Sequence, residues 1–126
     1  MVIDSSAALA IILNEPTAEA HIDRMLASET RLMSVANFVE IGLKMVFLKG
    51  TLGLPEIELF VMRANIELVA VDEEQAYAAV RAFERYGKGR HPAALNYGDC
   101  LAYALAKLRH EPLLYQGNDF SKTDLA

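Results

Sequence analysis

Apolar and polar positions come in blocks whose period changes repeatedly along the chain. Val2 and Ile3 read as the end of a short buried strand that stops at Asp4, and Ser5 or Ser6 offers an N-cap for a helix through Leu13. Residues 7–13 are apolar on nearly every side, the pattern of a helix buried on several faces, in a core or a subunit contact. Pro16 opens a second helix through about Leu26. Residues 30–33 suit a strand, and Ser34 caps a long helix from Val35 to about Leu48 that Gly50 and Gly53 stop. Its predicted inward stripe is Val35, Phe38, Val39, Gly42 and Val46. Pro55 suits the first turn of a further helix, in which Ile57, Phe60, Val61 and Ala64 recur at i, i+3, i+4 and i+7.

Residues 66–71 read as a strand with a single charge. Asp72 then caps a helix whose Ala76, Ala79, Val80 and Phe83 are predicted to face inward. Gly87, Gly89 and Pro92 mark a loop over 86–96, residues 97–109 are helical, and residues 112–115 form a last short strand. Residues 117–124 are polar and loop-rich, with room for one helical turn. Strands alternating with helices predict an α/β fold with a parallel sheet. With no internal repeat and no linker, one domain over 1–126 is expected.

Composition narrows the class. A chain of 126 residues with 53% hydrophobic and 23% charged residues is globular and can bury a core without staples. Cys100 is the only cysteine, so no intramolecular disulfide can form and a reducing compartment is expected. The longest uncharged stretch, 5–14, is too short for a bilayer, and Asp4 stands where an export signal would be basic, so the cytosol is expected. The net charge of −5 argues against a protein that coats nucleic acid, which needs a basic surplus. It argues less against a nuclease, whose bound cations invert the field of its acids. Arg81, Arg85, Lys88, Arg90 and His91 form a local basic group, either a solvated helix face or a phosphate contact.

The acids carry the candidate chemistry. Ligands of open α/β sheets bind beyond the C-terminal strand ends. Asp4 ends the first predicted strand, Asp119 follows the last, Asp99 opens a helix, and Glu40 lies in a helix that follows a strand. Each has a structural alternative. Asp4 could cap the first helix, Asp99 could close a capping box begun by Asn96, Glu40 could pair with Lys44, and Asp119 could cap the final turn. Their joint placement points further. Clustered carboxylates need a counter-charge, which hard cations such as Mg2+ or Mn2+ supply, and such a cation can activate water against a phosphodiester. His21, His91 and His110 lack zinc-ligand spacing, no Gly-rich phosphate loop or G-x-S-x-G elbow occurs, and Cys100 sits in an apolar run.

Four segments also carry a family likeness. Met1-Val2-Ile3-Asp4-Ser5-Ser6-Ala7, Ser34-Val35-Ala36-Asn37-Phe38-Val39-Glu40, Asn96-Tyr97-Gly98-Asp99-Cys100-Leu101-Ala102-Tyr103-Ala104 and Leu113-Leu114-Tyr115-Gln116-Gly117-Asn118-Asp119-Phe120 resemble the acid-bearing segments of the PIN-domain nucleases. The likeness is greatest to the VapC toxins of bacterial type II toxin–antitoxin pairs, and residues 85–91 resemble the loop before the third acid in one VapC subgroup. The resemblance implies a three-layer α/β/α fold with a short central parallel sheet. It implies an endoribonuclease dependent on Mg2+ (or Mn2+), usually dimeric, that cuts structured RNA such as tRNA or rRNA to leave a 5′-phosphate and a 3′-hydroxyl. The implied partner is a cognate VapB-like antitoxin. Asp4 and Asp99 would bind metal directly, Glu40 would act through water, and Asp119 would complete the shell or hold a weaker second metal. Many relatives have Thr or Ser and then an acid after the last strand; here Tyr115 and Gly117 stand there. The rival readings are a phosphatase with an aspartyl nucleophile, and a binding module that keeps the fold without the chemistry.

Overall fold

The structure, a computed structural model, describes residues 1–125. Its elements in chain order are β1 (Val2–Ile3), α1 (Ser5–Ile12), α2 (Ala18–Leu26), β2 (Leu32–Ser34), α3 (Val35–Lys49), α4 (Gly53–Arg63), β3 (Glu67–Val69), α5 (Glu73–Tyr86), α6 (Tyr97–Arg109) and β4 (Leu113–Leu114). Short 3-10 turns cover Gly50–Leu52 and Phe120–Lys122. The expected α/β class holds, with a four-stranded sheet in the order β3-β2-β1-β4 and every pairing parallel.

The period-two alternation of the strands divides the core between two layers. Val2, Leu32, Val69 and Leu113 face α5 and α6, packing on Ala79, Ala82, Tyr86, Leu101 and Leu105. Ile3, Met33 and Leu114 face the other way, onto α1, α2, α3 and α4 through Ala7, Met25, Ile41, Met45 and Ile57. Both faces of the sheet are thus covered, which is why its short central strands read as unbroken apolar runs. Strand order reverses at β1, with β2 on one side and β4 on the other. The C-terminal ends of β1 and β4 are therefore adjacent, at the switch point where α/β folds bind ligands.

Two helix faces differ from the sequence-based expectation. The buried face of α3 is Asn37, Ile41 and Met45. The predicted stripe points largely outward, with Val39 54% and Val46 50% exposed. On α5 the buried residues are Gln75, Ala79, Ala82 and Tyr86, while Val80 is 63% exposed and Ala76 and Phe83 are also exposed. In both cases the helix is apolar on two sides and periodicity alone cannot choose between them. The outward side of α5 lines an open apolar groove with Val71, Tyr97, Cys100 and Leu101. Gly53 starts α4 instead of only ending α3, and a Cβ there would stand 2.6–2.8 Å from the backbone of Met45 and Val46. Among the described residues no helix is long and apolar enough to cross a membrane.

Candidate active site

Asp4 follows β1 in extended backbone and is the N-cap of α1. Its Oδ2 accepts the Ser6 N–H at 3.0 Å and the Ser6 hydroxyl, which satisfies one of the donors a helix start leaves open. The residue is 1% exposed, and its Oδ1 is buried without a hydrogen-bond partner among the described residues. Burial pushes its carboxyl up to about 7, against the two bonds from Ser6, and the charges of Asp99 and Glu40 push the same way.

Asp99 lies in the first turn of α6 and forms a complete capping box with Asn96. The Asp99 N–H donates to Asn96 Oδ1 at 2.9 Å, and the Asn96 N–H donates to Asp99 Oδ2 at 3.0 Å. Its carboxyl is raised above the usual range by burial first, then by the charges of Asp119 and Glu40, against the bond from Asn96.

Glu40 is half-buried on α3. Its Oε1 accepts from Asn37 Nδ2 at 2.8 Å and from Ser5 Oγ at 3.1 Å. The carboxylate lies against the Cα of Gly98, where a Cβ would approach it to 2.1–2.2 Å. The alternative pairing with Lys44 is not made; the ion pairs among the described residues are Met1–Glu111, Lys49–Glu56 and Lys107–Asp124. Asp119 is exposed at the start of the last 3-10 turn, makes no side-chain cap, and acts electrostatically on Asp99.

Asp4, Glu40 and Asp99 are thus drawn into one electrostatic cluster from three helices, with Asp119 at its rim. The capping roles and the clustering are compatible because each of the three carboxylates divides its oxygens. Asp4 Oδ2, Asp99 Oδ2 and Glu40 Oε1 are tied to the protein, whereas Asp4 Oδ1, Asp99 Oδ1 and Glu40 Oε2 accept no hydrogen bond among the described residues. A set of carboxylate oxygens without protein donors suits a hard divalent cation. Among the described residues no three His, Cys, Asp or Glu side chains stand close enough to enclose one ion as they are. Two of the three imidazoles are engaged, His21 with Gln116 at 2.7 Å and His91 accepting from the Ala93 N–H at 3.0 Å.

The basic group is largely engaged locally. The Arg85 guanidinium stacks 4.7 Å from the Tyr86 ring centre, and Arg90 Nε donates to the Glu84 carbonyl at 3.1 Å. Four residues of the site escaped the reading of the acids: Ser5, Ser6, Asn37 and Gly98. Ser6 bridges two elements, since its Oγ also accepts the Gln116 N–H at 3.0 Å and so ties the loop after β4 to α1. The available signals were a serine two residues after Asp4, an amide three residues before Glu40, and a glycine next to Asp99.

Comparison with known proteins places the chain in a family. The PIN domain family matches residues 1–125. Ribonuclease VapC30 of Mycobacterium tuberculosis is 48% identical over all of this chain and 96% of its own length. Ribonuclease VapC of Mycolicibacterium smegmatis is 48% identical over all of this chain and 98% of its own. Among solved structures, VapC20 of Mycobacterium tuberculosis, described as a sarcin-ricin loop cleaving toxin, has a TM-score of 0.72 at 15% identity, covering 95% of this chain and 92% of its own. VapBC2 from Rickettsia felis, solved bound to a DNA fragment from its promoter, gives 0.75 at 11% identity over 98% of this chain and 92% of that one. The structural matches show the fold, and the sequence matches show the kinship: the chain belongs to the PIN-domain family and, within it, to the VapC ribonucleases.

Proposed function

We propose that this ribonuclease is the toxin of a type II toxin–antitoxin pair, a single PIN domain that hydrolyses RNA at Asp4, Glu40 and Asp99 with Mg2+ or Mn2+. The observation that carries the reading is Asp4, a carboxylate 1% exposed, with one oxygen unpartnered and its carboxyl pushed up to about 7. A buried acid left so poorly solvated signals a functional site. When bound, a divalent cation would neutralise the acids and polarise the phosphoryl oxygen. Asp4 and Asp99 would hold it through their free Oδ1 atoms. Glu40, tethered by Asn37 and Ser5, would bind the cation through water or orient the attacking water. Asp119 would complete the shell from the rim or hold a second, weaker ion.

Structured RNA, tRNA or rRNA, is the substrate class supported by the relative that cleaves a sarcin-ricin loop. A VapB-like antitoxin is supported by the kinship to VapC ribonucleases and by the fold shared with a toxin–antitoxin complex from Klebsiella pneumoniae, TM-score 0.72. A homodimer is supported by exposed Val39, Leu43, Val46 and Phe47 along α3, apolar surface that a monomer would leave in water. The buried free thiol of Cys100 suits the cytoplasm. The phosphatase reading is disfavoured, because the position two residues after Asp4 is Ser6, whose hydroxyl is engaged by Asp4 and by Gln116. The inactive-module reading leaves the three free carboxylate oxygens without a purpose.

The test is cleavage of total RNA by purified protein with EDTA, Mg2+ or Mn2+, with sequencing of the ends produced. Metal-dependent cleavage at few sites, reduced at least about a hundredfold by Asp99→Asn, is the expected result. Cleavage that persists in EDTA or in Asp99→Asn would overturn the proposal.

A further inference from the structure

Asn37 is unusual for its place. It sits in the first turn of α3 with no solvent exposure, and asparagine is a poor residue inside a helix because its amide competes with the backbone. Its Nδ2 donates to Glu40 Oε1 at 2.8 Å and to the Gly98 carbonyl at 3.1 Å, while its Oδ1 has no partner among the described residues. Both partners are acceptors only, which fixes the amide with its nitrogen toward them. One lies a turn further along α3, and the other lies in the first turn of α6.

Gly98 supplies the opposing surface. The Glu40 carboxylate fills the space that a side chain at 98 would need, since a Cβ there would stand 2.1 Å from Oε1 and 2.2 Å from Cδ and Oε2. A glutamate at a half-buried position with two acids nearby has reason to leave. Repulsion by Asp4 and Asp99 and the freedom of its side chain both favour rotation toward water. The amide bond from Asn37 and the hydroxyl bond from Ser5 oppose that rotation while leaving Oε2 uncommitted.

We infer that Asn37, working against Gly98, is the positioning residue that keeps the Glu40 carboxylate in the cluster, so that a buried amide with no solvent exposure sets the affinity of the site for its divalent cation. The inference rests on the reading of Asp4, Glu40 and Asp99 as the metal site.

The experiment is calorimetric titration of the full chain with Mn2+ alone, for the wild type, Asn37→Ala, Glu40→Ala and the double variant, with Asp4→Asn alongside. Asn37→Ala weakens Mn2+ binding by about tenfold to a hundredfold, the range for loss of a group that orients a metal ligand. In the Glu40→Ala background the same change has no further effect, because the two residues act through one contact. Equal weakening with Glu40 present or absent would show that Asn37 serves the fold and not the carboxylate, and would overturn the inference, as would wild-type affinity in Asn37→Ala. Should Asn37→Ala fail to fold, Gly98→Ala displaces the same carboxylate from the other side and is run through the same cycle. Wild-type Mn2+ affinity in Asp4→Asn would overturn the metal-site reading itself, and the inference with it, independently of how Asn37 behaves.

Discussion

Replacing Asp4 by Asn should stabilise the metal-free protein at alkaline pH. Burial raises the Asp4 carboxyl from 3.8 to about 7. Its native pKa lies above its unfolded value, so the native state holds the proton through a range in which the unfolded chain has released it. That contribution is fully present below about pH 4 and is lost as pH rises through about 7. A shift of roughly 3 units at about 1.4 kcal/mol per unit sets a cost of about 4 kcal/mol above pH 8. Asparagine carries no charge, and its Oδ1 can take the place of Asp4 Oδ2 and keep both bonds from Ser6. Its Nδ2 then replaces the unpartnered Oδ1 and is itself left without an acceptor, which costs about 1–3 kcal/mol. The net expectation in EDTA at pH 8 is a gain of about 1–3 kcal/mol, or roughly 3–10 °C in Tm for a chain of this size. At pH 4, where the wild-type acid is protonated, the gain should vanish or reverse. Saturating Mn2+ should raise the wild type and leave the variant unmoved. Urea and thermal melts at pH 4, 6 and 8 with EDTA, repeated at pH 8 with Mn2+, measure all of this. An Asp4→Asn variant destabilised equally at pH 4 and pH 8 would refute the reasoning, because the effect would then be packing and not charge burial.

Other variants separate structure from chemistry in the same cluster. Asp99→Asn keeps an acceptor for the Asn96 N–H and should stay within about 1 kcal/mol of wild-type stability, whereas Asp99→Ala should lose about 1 kcal/mol more, as read by thermal melts. Asp119→Asn, on an exposed turn without a cap bond, should lower RNA cleavage by less than about tenfold, against at least about a hundredfold for Asp99→Asn. Leu43→Asp on the exposed side of α3 should shift the protein to a monomer in sedimentation velocity without lowering its melting temperature at low concentration, since Leu43 is 69% exposed. Gly53→Ala should destabilise by about 1–3 kcal/mol, because its Cβ would meet backbone of α3 that cannot yield.

What was legible in the sequence followed from local signals. Asp4 announces itself by ending an apolar strand and Asp99 by opening a helix, both of which depend on neighbours a few residues away. The same locality misled. Competing cap and ligand roles looked exclusive, whereas a carboxylate has two oxygens and in Asp4 and Asp99 only one of them is taken by the cap. The inward faces of α3 and α5 were unreadable for a different reason. Val39 and Val80 are as apolar as the buried Ile41 and Ala79, and only the partner layer decides which side is covered. Asn37, legible only as an amide three residues before Glu40, takes the rest of its meaning from Gly98, 61 positions away. Glu40, with no cap to make and no strand end to mark, had only its place in a helix after a strand and the likeness of its segment to a family to single it out.

The shared oxygens of Asp4 and Asp99 bear on how such a site can be lost. A chain freed from selection for activity usually sheds catalytic acids to any residue that mutation offers. Here the first turns of α1 and α6 hang on the two side chains proposed to hold the cation, so random replacement damages the scaffold as well. Disarmed descendants that persist as folded proteins should therefore be enriched in Asn, Ser or Thr at these two positions. Glu40, which closes no helix end, should drift instead toward residues that still accept from Asn37 and Ser5. A catalogue of spontaneous inactivating changes would then carry two distinct spectra, and the difference between them would mark which acids the architecture also needs.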